Sequence, residues 1–314
     1  MNILSVNASV IGGGAEKVSL TLHQRYRARG HESWLAVANI NAEEPGTLQI
    51  PRDAGRGLGA QSLLGSAWWL DARSRRPTDA AGRASRALRV AAEPGRWAHV
   101  ARGHEDFDFP WTSGLLDLAP ARADVLHLHN LHGGYFDIRV LPELTAATPT
   151  VLTLHDTWLL TGHCAQPFEC ERWRTGCGAC PDLDRYVPVR GEETIANREV
   201  KRSAVLGSRL GIAAPSAWLL SMAEESGLLG EGREGRVIPN GVDTSVFAPG
   251  HKAAARERLR LPQERRIALV AAKGVRGNPY KGFDTLLGAL GRLSGEAAKG
   301  LLVVALGDEG QDWV

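Results

Sequence analysis

Short apolar runs alternate with amphipathic stretches along most of this chain. Residues 3–7 show the pattern of a buried strand that ends in small polar residues, and residues 33–38 repeat it. Between them, after a glycine-rich turn, apolar side chains recur at helical spacing. These are Ala15, Val18, Leu22 and Tyr26. The pattern therefore predicts a strand–helix–strand unit at the start of the chain.

The alternation returns after residue 120. It predicts four further strands, at 124–130, 150–156, 210–214 and 236–239, and helices at 192–206 and 217–229. Strands that alternate with helices favour a parallel sheet covered on both faces. Ligands of such sheets bind at the carboxyl ends of the strands. We therefore look for functional residues where the predicted strands end.

A second domain is expected after residues 238–243, so that the chain divides into domains at 1–240 and 241–314. The second begins a new helix, strand, helix and strand, at 253–259, 267–271, 283–293 and 301–306. The fold class is thus α/β with two parallel sheets, the second incomplete at two strands where about five or six are usual.

Residues 51–110 fit this pattern poorly. They are rich in Arg, Gly and Ala, and Trp68, Trp69 and Trp97 are interspersed. One interpretation is a set of helices and loops inserted at the edge of the first domain. The other is a surface that faces an acceptor and stacks its aromatic rings on sugars.

Composition excludes several classes of protein. The net charge of +2 over 314 residues lacks the basic surplus that nucleic-acid binding needs. No apolar run reaches the roughly 18 residues that span a bilayer, and the first residues do not form a signal peptide. We expect a soluble cytoplasmic protein that binds no nucleic acid.

A glycine turn follows the first strand, at Gly12, Gly13 and Gly14. Such turns let backbone N–H groups approach a phosphate or a sugar at a helix N-terminus. The dinucleotide fingerprint needs a third glycine where Lys17 stands, so a nicotinamide site is not expected. A plain tight turn is the alternative.

Histidines cluster where two predicted strands end. His127, His129 and His132 surround the end of one strand, and His155, followed by Asp156, ends the next. Single histidines are more often structural than functional. Several at one edge of a parallel sheet predict that His132, His155 or both lie in the active cleft.

Three cations occupy the loop after the first strand of the second domain: Lys273, Arg276 and Lys281. Fixed positive charges there could neutralise a diphosphate leaving group as its charge develops. The alternative is a solvated basic loop.

All four cysteines lie within one short segment, 163–181, at Cys164, Cys170, Cys177 and Cys180. Four thiols with a C-x-x-C turn could hold a structural zinc ion. Disulfides, a redox-active C-x-x-C and free buried thiols are the other interpretations.

Five segments together resemble the family 4 glycosyltransferases, which are retaining enzymes with two Rossmann-like domains (the GT-B fold). The cysteine segment, with Trp173, Gly176 and Pro181, is similar to a bacterial branch that builds cell-surface polysaccharides. The five segments are 12–17, 124–130, 153–156, 238–243 and 280–284.

The resemblance implies transfer of a sugar from a nucleoside diphosphate donor to a glycan or lipid-linked acceptor, with retention and without a catalytic cofactor. The first domain would take the acceptor and the second the donor nucleotide. The biological setting would be cell-envelope or exopolysaccharide synthesis, with peripheral association at the inner face of the membrane.

The resemblance also assigns residues. His155 matches a histidine beside the donor sugar, and His132 matches a histidine of the related glycogen synthases. The turn at Gly13 and Gly14 would face the donor phosphates. The cation that matches the family's pyrophosphate lysine is Lys281, and its partner would be Arg276 or Lys273.

One family feature is missing. Two glutamates seven residues apart hold the ribose and the donor sugar late in the second domain, and here the last glutamate is Glu309. The expectation is a C-terminally truncated chain whose own turnover is doubtful.

Two other functional classes stay open, a sugar-nucleotide epimerase and a non-catalytic nucleotide- or glycan-binding protein. Residues 240–243 and the Lys281–Gly282 helix start favour a transferase over an epimerase. The surviving histidines and lysines argue against a binding protein.

Overall fold

The computed structural model describes residues 1–74, 78–230, 232–271 and 278–307. The chain forms two compact units, Met1–Gly241 and Val242–Val314. Each is described here by itself.

The first unit is built on a seven-stranded sheet in the order β3-β2-β1-β4-β5-β6-β7. Every neighbouring pair is parallel, as the alternating pattern predicted. The strands are β1 (Asn2–Ser9), β2 (Glu32–Asn39), β3 (Thr47–Gln49), β4 (Val125–Leu128), β5 (Thr150–Thr153), β6 (Leu210–Ala214) and β7 (Gly235–Val237).

Among the described residues of this unit, seven α-helices connect or flank these strands. They are α1 (Gly14–Ala28), α2 (Leu58–Asp71), α3 (Ala80–Ala92), α4 (Pro94–Arg102), α5 (Leu141–Ala147), α6 (Thr194–Leu206) and α7 (Ala217–Glu225). The pattern missed β3 and α5, because three strand residues or two helical turns are too short to show a period. It also ran β4 and β5 too far, so His129 and His155 lie just beyond the strand ends.

The two faces of the central strands differ in chemistry. One face carries Leu4, Val6, Leu126, Leu128 and Leu152, which are fully buried in the main hydrophobic core. The alternate residues of the same strands and of the loops that continue them form the other face, which we call the polar face. Its members are Ser5, Asn7, His127, His129, Thr153 and His155.

Helix α1 covers the polar face. Asn7 Nδ2 donates to Ser19 Oγ over 2.8 Å, and Tyr26 Oη lies 3.2 Å from His127 Nδ1. His23, also on α1, pairs its Nδ1 with Ser33 Oγ of β2 at 2.9 Å. The helix therefore packs on the sheet through hydrogen bonds as well as apolar contacts.

Residues 51–110, which fit the alternating pattern poorly, form helices, chiefly α2, α3 and α4. Guanidinium groups already lie over two of its tryptophans. Arg89 stands 4.0 Å and Arg52 4.2 Å from the Trp68 ring, and Arg73 stands 3.6 Å from that of Trp69. These contacts give the two rings a structural role in the insert.

The segment that follows β5 is long and irregular. Residues 154–193 contain only two single 3-10 turns, Trp158–Leu160 and Arg172–Arg174. Loops of this length are uncommon unless they carry function. This one carries His155, Asp156 and all four cysteines.

The second unit contains α8 (Lys252–Arg258), β8 (Arg266–Ala271), α9 (Phe283–Gly291), α10 (Gly295–Ala298) and β9 (Leu301–Leu306). Strands β8 and β9 pair in parallel, as predicted. Among the residues described in this unit, no apolar side chain is buried. Across the described ranges of the whole chain, no helix has the length and apolar character needed to cross a membrane.

Candidate functional site

His155 lies directly past the carboxyl end of β5 and pairs with a second histidine. Its Nε2 is 2.9 Å from Nδ1 of His129, and the two rings stack at 5.2 Å between centroids. Burial lowers the pKa of His155 and lowers that of His129 well below its usual range. Both rings are therefore neutral near pH 7.

His132 forms a second pair at the same edge. Its Nε2 is 2.8 Å from Oδ2 of Asp156, and its Nδ1 lies 3.5 Å from the Tyr186 hydroxyl. A carboxylate only accepts hydrogen bonds, so Nε2 of His132 carries the proton. Asp156 directly follows His155 in the chain, so this bond brings His132 to the same edge of the sheet as His155.

A buried ion pair stands behind His132. The Trp158 ring lies 5.5 Å from that of His132, and its indole N–H donates to Glu105. Glu105 accepts from the ammonium of Lys201, whose side chain is wholly buried. Burial raises the pKa of Glu105 and lowers that of Lys201, so desolvation disfavours the charged forms of this ion pair beside Trp158 and His132.

The glycine turn is occupied by a carboxylate from its own helix. The N–H of Gly13 donates to Oε2 of Glu16 over 2.7 Å, at the start of α1. Gly12, Gly13 and Gly14 are all exposed. The charge of Glu16 also favours protonation of His155, against the larger effect of burial. The turn follows β1 and His155 follows β5, so both lie at the carboxyl edge of the same parallel sheet.

The predicted cations lie in the second unit. Lys281 ends a 3-10 turn, Pro279–Lys281, and its side chain is exposed. Gly282 follows with a φ of +63°, which glycine adopts without strain, and α9 begins at Phe283. Lys273 and Arg276 lie outside the described residues.

The four cysteines line one small cavity of about 20 Å³, together with His163. All four are free thiols. The N–H of Gly162 donates to Cys177 Sγ over 3.1 Å, and His163 Nε2 lies 3.3 Å from Cys180 Sγ.

Burial favours the protonated form of three of these thiols. It raises the pKa of Cys164 to about 11 and also raises the pKa of Cys177 and of Cys180. A redox-active C-x-x-C needs the opposite shift, so that interpretation is disfavoured. In the described part of the chain, no three His, Cys, Asp or Glu side chains are arranged to hold a metal. A zinc site stays a prediction. It would require the four sulfurs to move closer to one another.

Three functional candidates were missed by pattern alone. Asn7 is one strand residue among others, and nothing in the sequence links Glu105 to Lys201 across 96 positions. The one available signal was a polar residue at every second place in two apolar runs, Ser5 and Asn7 in the first and His127 and His129 in the other. That alternation marks one face of a strand.

Two curated proteins are similar in sequence to part of the chain. No protein-family model matches the chain. A stretch of 138 residues, 40% of the chain, is 33% identical to the putative colanic acid biosynthesis glycosyl transferase WcaC of Escherichia coli K12, and covers 32% of that protein. A stretch of 74 residues, 23% of the chain, is 45% identical to the D-inositol 3-phosphate glycosyltransferase of Stackebrandtia nassauensis, and covers 16% of it.

Among solved structures, the chain is similar to WaaG, a glycosyltransferase involved in lipopolysaccharide biosynthesis. The TM-score is 0.51 at 13% identity, over 96% of this chain and 62% of that one. The matched stretches thus span a third or less of the two curated relatives, and the chain spans less than two thirds of WaaG. The structural likeness confirms the predicted α/β fold of GT-B type.

Proposed function

We propose that the protein is a glycosyltransferase of family 4, which moves a sugar from a nucleoside diphosphate donor to a glycan or lipid-linked acceptor with retention of configuration. One observation carries the proposal. His155, His132 and the glycine turn all lie at the carboxyl edge of one parallel sheet, and His132 bonds to Asp156, the residue after His155; such sheets bind ligands at this edge. The two similar proteins are glycosyltransferases, which supports the proposal, and the colanic acid role of the first favours cell-surface polysaccharide synthesis as the setting.

Each residue has a role in this proposal. His155, neutral because it is buried, contacts the donor sugar. His132, held by Asp156 through Nε2–H, keeps Nδ1 as an acceptor at the same edge. A donor phosphate at the glycine turn has to displace the Glu16 carboxylate from the N–H of Gly13. Lys281, with Lys273 or Arg276, neutralises the diphosphate as it leaves.

A donor assay tests this function. The protein is incubated with nucleoside diphosphate sugars and an acceptor, and the release of nucleoside diphosphate is measured. We expect Lys281→Ala to raise the barrier by roughly 3–4 kcal/mol, as for a lost oxyanion donor. Lys252→Ala is the matched control, since Lys252 is also exposed in the second unit. Equal rates for the two variants would contradict the role of Lys281.

The same assay separates the other classes. A changed sugar configuration with the nucleotide still attached would indicate an epimerase. Saturable binding without turnover, in a full-length protein that supplies the two expected glutamates, would indicate a nucleotide- or glycan-binding protein.

The site of action is a further part of the proposal. A lipid-linked acceptor would bring a cytoplasmic enzyme to the inner face of the membrane as a peripheral protein. Nucleic acid has no place in this function, and the proposed transfer needs no catalytic cofactor.

For the cysteines we propose one structural zinc ion, which would draw in the four sulfurs that already line a single cavity. After reconstitution with zinc under reducing conditions, elemental analysis should find about one zinc per chain, and Cys180→Ser should lower that occupancy. No zinc together with four titratable thiols would leave free thiols as the answer, and fewer than four thiols would indicate disulfides.

A further inference from the structure

Three buried polar atoms on or beside the polar face have no hydrogen-bond partner among the described residues. They are Ser5 Oγ, Asn7 Oδ1 and His129 Nε2. Asn7 and His129 are neighbours on adjacent strands, because β1 and β4 pair in parallel and the His129 N–H donates to the Val6 carbonyl over 3.1 Å. Buried polar groups are nearly always satisfied, so each such atom needs an explanation.

The orientation of the Asn7 amide is fixed by its neighbours. Ser19 donates its one hydroxyl proton to the Glu16 carbonyl over 3.0 Å, so Ser19 Oγ can only accept from Asn7. Asn7 must then present its NH₂ group to Ser19, at 2.8 Å. Its oxygen, Oδ1, is left as a buried acceptor that needs a donor.

His129 can supply that donor. With its proton on Nε2, the His129 ring can donate to Asn7 Oδ1, directly or through one buried water. With its proton on Nδ1, two buried acceptors on neighbouring strands both lack a donor, which is the costly arrangement. The first tautomer is therefore favoured.

The tautomer of His129 determines that of His155. If His129 carries its proton on Nε2, its Nδ1 is an acceptor, and the group 2.9 Å away, Nε2 of His155, must donate to it. A neutral His155 that donates from Nε2 has a bare Nδ1. No described residue bonds to that Nδ1, and it is not among the atoms sealed from solvent.

We propose that His129, set by Asn7, is a positioning residue that fixes His155 in the Nε2–H tautomer, so that His155 Nδ1 accepts a hydrogen bond from a hydroxyl of the bound sugar. This inference rests on the proposed function and deepens it. A bare nitrogen takes a hydroxyl or amide donor and rejects a phosphate or carboxylate oxygen, which has no proton to give. The site is thereby specified for an uncharged sugar hydroxyl at this position.

Nitrogen NMR on the whole chain tests the tautomer directly. In protein labelled with ¹⁵N-histidine, long-range proton–nitrogen correlations at neutral pH distinguish protonated from bare ring nitrogens. We expect protonated Nε2 and bare Nδ1 for both His129 and His155. A proton on Nδ1 of His155 would overturn the proposal.

Variants separate positioning from mere packing. His129→Leu removes the acceptor and should leave His155 as a mixture of tautomers, while His129→Asn keeps an oxygen near the place of Nδ1 and should restore the Nε2–H form. His127→Leu is the matched control, because His127 is buried on the same strand and its ring nitrogens bond to Tyr26 and Thr153. An unchanged His155 in His129→Leu would contradict the proposal.

Asn7→Leu provides a second route if His129→Leu fails to fold. Without the Asn7 acceptor, both tautomers of His129 become accessible, and the fixed tautomer of His155 should be lost. In the donor assay, His129→Leu should lower turnover by about a hundredfold with little change in KM, and His129→Asn should recover part of it. If a full-length protein that contains this chain and supplies the two expected glutamates still transfers no sugar, the proposed function is refuted and the NMR result stands.

Discussion

In β1 and β4 both faces of the sheet are largely buried, and the two faces differ in chemistry. Leu126 and Leu128 are fully buried in the apolar core, and between them His127 is 7% exposed on the other side of the sheet. Burial of hydrocarbon stabilises a fold, whereas buried polar groups at best recover the hydrogen bonds that they lose to water. The apolar face accounts for why the sheet folds, and the polar face is retained at a cost that stability does not explain.

The largest expected effect lies on the apolar face. Leu128→Ala removes a fully buried side chain from the core and should lower the free energy of unfolding by about 3–4 kcal/mol. Val151→Ala is the control, since Val151 is 37% exposed in the neighbouring strand. Urea unfolding measures both. Similar losses at the two positions would contradict the assigned core.

Low pH should lower the free energy of unfolding through protonation of His127 on the polar face. Burial lowers the pKa of His127 to about 4, against a usual value of 6.5. The unfolded chain therefore binds more protons below pH 6.5, so this contribution to stability is complete above that pH and is lost as the pH falls toward 4. We expect His127 alone to account for about 2 kcal/mol between pH 7 and pH 5.

The variant His127→Gln sharpens that test. It removes the titrating ring, so its unfolding free energy should fall less steeply over the same pH window. If the wild-type protein and the variant show the same pH slope, His127 is not the source of the acid sensitivity.

The smallest expected effect is at Ser5, whose buried hydroxyl has no partner among the described residues. Ser5→Ala removes an unsatisfied group without creating a large cavity. We expect the free energy of unfolding to change by at most about 1 kcal/mol, toward greater stability. A loss as large as that of Leu128→Ala would mean that Ser5 makes an essential bond.

The same contrast explains what the sequence could predict. Strands and helices with long apolar runs or periods were predicted within a few residues, and β6 (Leu210–Ala214) and β9 (Leu301–Leu306) without error. The sequence did not predict which side of α1 is buried. Apolar spacing pointed to Val18 and Leu22, which are only half-buried, whereas Ser19 and His23 are fully buried. A helix that packs on polar strand residues buries hydrogen-bonding groups, and a hydrophobic period cannot reveal them.

The sequence singled out the histidines of the candidate site but not their hydrogen-bond partners. The edge that holds His132 and His155 followed from strand ends. Their partners did not, because hydrogen bonds such as those of Asp156 and Asn7 depend on register between strands far apart in sequence. The pair of Glu105 and Lys201 is beyond any local pattern for the same reason.

In the proposed function the polar face serves sugar transfer while the apolar face holds the fold, and two adjacent residues test this division most directly. Leu154 is buried in the core, and His155 next to it belongs to the polar face. Leu154→Ala should lower the free energy of unfolding by about 3 kcal/mol and leave turnover of the folded protein within a few-fold of wild type. His155→Ala should cost less stability and lower turnover by roughly 10²–10⁴-fold. Wild-type turnover in His155→Ala, or a loss that only follows its unfolded fraction, would contradict the account.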